Sequence, residues 1–318
     1  MAADTKRFVD DGWAVWTDEN CKTAVYFTEW LNPKGENYVD VGVWIYGLDK
    51  PVDMRVFVPF PVEFSDICDL SPVLFTEQGA KAVFNTVFQV EKGASGRCSR
   101  FAYDKTTVDL LHVTADTVRI ERVGGGTLLT TRIVENAAEF TSKEIYMLIR
   151  LPHKKLNELF LAKPHTKLEK DSLKELITSP MVTQRFGYSL GLNEERILPK
   201  EFSANLKIRG QNIEKSQLTL MIDEDYELND GSCSRIRHSD GAAYAGYSPK
   251  DFEERNFVCY QWKQGRAGEK KSHSNFYVTV QNSFISKKSV LVYGLILMFT
   301  SILGSAAYDL IKLLFELL

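Results

Sequence analysis

Tyr38-Val39-Asp40-Val41-Gly42-Val43-Trp44-Ile45-Tyr46 places Val39, Val41, Val43 and Ile45 at every second position. A period of two marks a half-buried strand, because successive side chains point to opposite faces of a sheet. Met54-Arg55-Val56-Phe57-Val58 repeats the pattern and stops at Pro59 and Pro61. The short connection from Gly47 to Pro51 predicts that these two runs pair antiparallel. Upstream, Trp13-Ala14-Val15-Trp16 and Ala24-Val25-Tyr26-Phe27-Thr28 read as further strands. Downstream, apolar runs on either side of Gly124-Gly125-Gly126 read as a hairpin. Helical spacing of Val83, Phe84, Val87 and Phe88 predicts one helix over 77–88.

The later part of the chain continues in the same style. Residues 145–151 are strand-like and end at Pro152. Short helices are expected over 154–161, where Leu156, Leu159 and Phe160 share a face, and over 171–177, with Asp171 or Ser172 as N-cap. Residues 217–222, 256–262 and 276–280 read as strands again. The expected fold class is mainly β. It comprises two β-rich, sandwich-like lobes, 1–136 and 137–282, the second with short helices, and one C-terminal transmembrane helix.

The transmembrane expectation comes from 289–308, twenty residues without a charge. A helix of that length spans ~30 Å, the thickness of a bilayer's hydrocarbon core. Residues 283–288 form a basic linker before it and 309–318 an amphipathic tail after it. Lys287 and Lys288 precede the span, whereas Asp309, Lys312 and Glu316 follow it, so the positive-inside rule puts the N-terminal head in the cytoplasm. The five cysteines are odd in number and widely spaced, and the first residues show no signal peptide, which agrees with a reducing compartment. Lys263, Arg266, Lys270, Lys271, Lys287 and Lys288 form a basic collar expected to contact anionic lipid. Thr300 with Gly304, and Ser301 with Ser305, are small-residue pairs that let spans pack closely into a homo-oligomer.

The chemistry-bearing residues are less specific. The whole chain, 318 residues with a net charge of −3, is globular in composition and lacks the basic balance of a nucleic-acid binder. Gly124–Gly126 is followed by β-prone threonines and leucines rather than a phosphate-binding helix. The acidic run from Asp223 to Asp230 lacks the glycine turn of a calcium loop. Cys233, His238, Cys259 and His273 have zinc-ligand chemistry but no close cysteine pair, so neither a metal nor a cofactor is expected. Cys233 and His238 supply a nucleophile and a base without a third orienting group, and His112, His153 and His165 look isolated. No catalytic residue is expected. Trp13, Trp16, Trp30 and Trp44 divide between core and a binding face.

The functional expectation is a non-enzymatic, membrane-tethered recognition module that binds a cytoplasmic protein or small ligand at the inner membrane surface. Two alternatives carry different chemistry: a signal-responsive, oligomerising effector that disrupts the membrane, and a membrane-tethered hydrolase.

Overall fold

The computed structural model describes residues 7–317 apart from 20, 34, 85–88, 96–97, 104–105, 134–142, 157–180, 203–211, 230–232, 241–243, 245, 254, 266–272 and 286. The described chain is mainly β, in two sheets. The first contains β1 (Arg7–Thr17), β4 (Val52–Val58), β9 (Val118–Val123), β10 (Gly126–Ile133), β12 (Met181–Leu192), β14 (Glu227–Leu228) and β17 (Ser274–Ile285), in the order β14-β17-β12-β1-β4-β10-β9. The second contains β2 (Lys22–Leu31), β3 (Tyr38–Tyr46), β6 (Gln89–Ser95), β7 (Cys98–Tyr103), β8 (Thr106–Leu111), β11 (Ile145–Pro152), β13 (Asn212–Asp223), β15 (Arg235–Asp240) and β16 (Asn256–Gln264). Its order is β15-β16-β13-β2-β3-β11-β8-β7-β6, and the short β5 (Cys68–Asp69) pairs with β11.

The alternation at 38–46 is realised as read. Val39, Val41, Val43 and Ile45 are buried in a core that also takes Val52, Met54, Val56 and Val58. The expected pairing of these two strands is not observed: β3 pairs with β2 and β11, and β4 pairs with β1 and β10. The cause is the apolar face of each run. Both runs feed the same core cluster from different sheets, and the connection between them passes from one sheet to the other instead of making a hairpin. At Gly124-Gly125 a hairpin does form. Both glycines have positive φ, 55° and 81°, and β9 and β10 pair directly across them.

Two parallel ladders hold the centre. β1 runs parallel to β12 from Arg7↔Phe186 to Trp13↔Leu192, and β2 runs parallel to β13. Parallel neighbours need long connections, so each ladder joins segments far apart in sequence. Both sheets therefore take strands from either side of residue 136, and a single core cluster draws on both.

The helices are few. α1 (Ser71–Leu74) and α2 (Glu77–Phe84) follow β5, and a helical turn occupies 154–156. The remainder of the helix expected over 154–161, and the one expected over 171–177, lie outside the described residues. α3 (Lys287–Leu317) is continuous through Asp309 and Lys312. Within it, Val290–Phe315 is long and apolar enough to cross a membrane, 26 residues or ~39 Å at about 1.5 Å per residue. None of the described side chains of α3 is buried against the rest of the chain, and Leu297 is 69% exposed.

Candidate functional site

The outward face of the second sheet carries a groove of about 510 Å³. Strand alternation selects its lining. On β3 the odd residues enter the core, so Asp40, Trp44 and Tyr46 face outward; on β2 the outward set includes Tyr26 and Thr28. β11 adds Tyr146 and Leu148, and α2 contributes Phe84 at the rim. β13 reaches the same face by a bulge. Ile213 is a core residue opposite Thr23, the register then slips by one, and Lys215 stands opposite Ala24 with Gln217, Thr219 and Met221 after it. Without that extra residue Lys215 would point into the core.

The strands lining the groove differ in chemistry. β2, β3 and β11 supply aromatic rings, among which Trp44 stacks on Tyr46 at 5.6 Å and tilts against Tyr146 at 5.4 Å. Trp44 Nε1 donates to Glu144 Oε2 at 3.0 Å. The neighbouring strands β13, β16 and β15 carry Lys215, Lys263, Arg235 and Arg237. Lys215 Nζ sits 4.9 Å from the Tyr26 ring centre. Burial, and then the charge of Lys263, push the Lys215 ammonium below its ordinary value. Burial pushes the Cys259 thiol up to about 11, which makes it a poor nucleophile at neutral pH.

One end of the groove is fixed by a buried ion pair. Arg150 Nε and Nη2 donate to the two oxygens of Asp40 at 2.6 and 2.8 Å, and Nη2 also donates to the Tyr247 carbonyl at 2.7 Å. The guanidinium lies 5.4 Å from the ring centres of both Trp30 and Tyr247, and Trp30 Nε1 completes the Asp40 shell at 2.8 Å. Gly42 lets the Tyr146 side chain lie against β3, because a Cβ there would strike its hydroxyl.

A second polar cluster is enclosed in the protein. His153 bridges Asp11 Oδ2 at 2.7 Å and Glu29 Oε2 at 2.9 Å, with all three side chains fully buried. Tyr188 donates to Glu29 at 2.5 Å and Lys155 to Asp11 at 2.8 Å. Burial alone would lower the His153 pKa, but the carboxylates of Glu29 and Asp11 outweigh it and raise it to about 9. Burial likewise opposes the charge on Asp11, and His153 and Lys155 hold its carboxyl below the usual range despite this. The cluster ties β1, β2, β12 and the end of β11 together.

A third constellation joins Ser99, His112 and Asp69. Ser99 Oγ lies 2.7 Å from His112 Nε2, and His112 Nδ1 lies 3.2 Å from Asp69 Oδ2. That order of nitrogens matches a nucleophile–base–orienter relay. Phe75 stacks on the imidazole at 6.2 Å.

The residues singled out in the sequence are dispersed. Cys233 packs beside the inter-sheet core, Cys259 is buried on the opposite face of the second sheet, and His238 is exposed on β15. Trp13 and Trp16 are buried away from the groove, Trp30 packs beyond its Asp40 end, and Trp44 lines it. Lys263 also lines the groove, and its neighbour Gln264 donates to the carbonyl of Asn275. Asn275 stands at the opposite end of β17 from α3, roughly 33 Å along the strand at about 3.3 Å per residue. Lys287 and Lys288 open α3, while Arg266, Lys270 and Lys271 lie outside the described residues. Thr300, Ser301, Gly304 and Ser305 lie in α3 with Thr300, Ser301 and Ser305 exposed, and Thr300 Oγ1 donates back to the Ile296 and Leu297 carbonyls.

Fold and site together define a mainly β protein with an aromatic and basic groove on one sheet and an exposed apolar helix at its C-terminal end. No family model matches the chain, and no curated protein matches it. Among solved structures it is similar to one titled Fcho1 Mu homology domain (Danio rerio) with bound Eps15 peptide, at 8% identity, covering 90% of this chain and 82% of that chain with a TM-score of 0.10. A TM-score of that size carries no argument about fold or ligand.

Proposed function

We propose that the chain is a membrane-tethered recognition module, a β-sandwich head on a single transmembrane helix. The head faces the cytoplasm and takes its ligand or partner in the groove of the second sheet. The groove is the observation that carries this reading: a concave surface of about 510 Å³, of the size of small-molecule sites, lined by both basic side chains and aromatic rings. The α3 helix supports the tether, since an apolar surface of this length left uncovered in water is strongly unfavourable. Lys287 and Lys288 at its start, against a net acidic tail, support a cytoplasmic head.

The test is co-purification of the full chain from native membranes in mild detergent, beside a variant carrying Arg235→Glu and Lys263→Glu. Both positions are exposed, so the charge reversal leaves the core untouched. A component held by the parent and lost from the variant supports the reading. Identical compositions contradict it.

The Ser99–His112–Asp69 relay supports a second reading, a membrane-tethered serine hydrolase. Covalent labelling of Ser99 by a fluorophosphonate, lost on His112→Ala, would favour it. An unlabelled serine would remove it.

A further inference from the structure

We propose that the groove binds a nucleotide, with its phosphates held by Lys215, Lys263 and Arg235 and its ring packed on the partly exposed Tyr26 and Tyr46, which Trp44 supports from within the core. The inference rests on the recognition reading above and names its ligand class.

Among the described residues no carboxylate is in ion-pair contact with Lys215, Lys263 or Arg235, whereas the acids of the lining are already engaged, Asp40 by Arg150 and Glu144 by Trp44. The bulge at Glu214 turns Lys215 onto the same face as Lys263, so two ammonium groups share one end of the groove. Bringing like charges together is unfavourable, and a polyanion between them reverses the sign of that interaction.

That charge is paired with flat rings. Inorganic phosphate needs only the basic side chains. A ligand that contacts both sets has an anionic end and a planar end, because aromatic side chains bind the face of a base with little regard to its sequence identity. Gln261 also lines the groove, and its Oε1 is buried without a hydrogen-bond partner. Either orientation of that amide offers an edge-on contact to a base.

The Lys263 end of the groove lies beside the start of β17, whereas α3 leaves from the other end of that strand. That separation favours a ligand dissolved in the cytoplasm over a phosphorylated lipid headgroup.

The experiment is calorimetric titration of the full chain, held in nanodiscs of uncharged lipid, with ATP, GTP and AMP, and with adenosine and inorganic pyrophosphate as the two halves. The expected result is one nucleotide bound per chain, more tightly than either half. Lys215→Met and Lys263→Gln should each weaken it at least tenfold, as loss of a charge-assisted contact does, while the melting temperature of the unliganded protein stays unchanged. The inference is overturned if no nucleotide binds at millimolar concentration, or if both variants bind like the parent. Binding only to phosphoinositide vesicles, to a single-stranded RNA or to a phosphopeptide overturns it as well. A component that still co-purifies through the groove would leave the recognition reading standing and remove only the nucleotide. Turnover of a bound nucleotide would keep the site and remove the non-enzymatic part of that reading.

Discussion

Raising the pH should loosen this protein through one histidine. His153 is fully buried between Asp11 and Glu29, which hold its proton to about 9 against the ordinary 6.5. A group whose pKa is raised by folding stabilises the native state fully below its unfolded value and ceases to do so as the pH climbs through its folded value. The distance from 6.5 to about 9, at about 1.4 kcal/mol per pH unit, makes the loss ~3 kcal/mol between pH 6.5 and pH 9.5. For a head of this size that corresponds to a fall in Tm of roughly 5 °C. The assay is thermal unfolding of the full chain in detergent across that range, with His153→Gln in parallel. The variant should be about 3–5 kcal/mol less stable at pH 6.5, since it leaves two buried carboxylates without their bridging cation. It should also lose most of the dependence on pH. A parent protein equally stable at both ends of the range would refute the reasoning, and so would a His153→Gln variant that keeps the full slope.

Removing one member of the Arg150–Asp40 pair should cost about as much. Arg150→Met leaves the Asp40 carboxylate buried and unpaired, a loss of about 3–5 kcal/mol by chemical denaturation, and adding Asp40→Asn should recover part of it. A double variant no more stable than the single would show that the pair is not the relevant unit. The thiol of Cys259, buried and raised to about 11, should resist iodoacetamide at pH 8 until the protein unfolds. Rapid alkylation in the native state would contradict its placement.

Local periodicity made the strands legible, as 38–46, 217–222, 256–262 and 276–280 each carry a two-residue rhythm that the sheets preserve. Gly124-Gly125 announced its own turn through the positive φ that only glycine adopts freely. Pairing was not legible, because nothing near β3 or β4 states which sheet each will join. The parallel contacts of β1 with β12 and β2 with β13 link residues more than 170 positions apart. The groove was hidden for the same reason, since its lining is spread from Tyr26 to Lys263. Some signals were present all the same. Asp40 and Arg150 are charges set inside apolar strands, a pattern that calls for a buried partner. His153 looked isolated among lysines, yet it directly follows the apolar run of β11, where burial is to be expected.

A tethering role for this protein requires that a bilayer hold α3. Flotation with liposomes tests this directly, comparing the full chain with one ending at Ile285. The full chain should rise with the lipid and resist alkaline carbonate, while the shortened chain stays at the bottom of the gradient. A full-length protein that remains below without detergent, or a shortened one that rises equally well, would contradict the account.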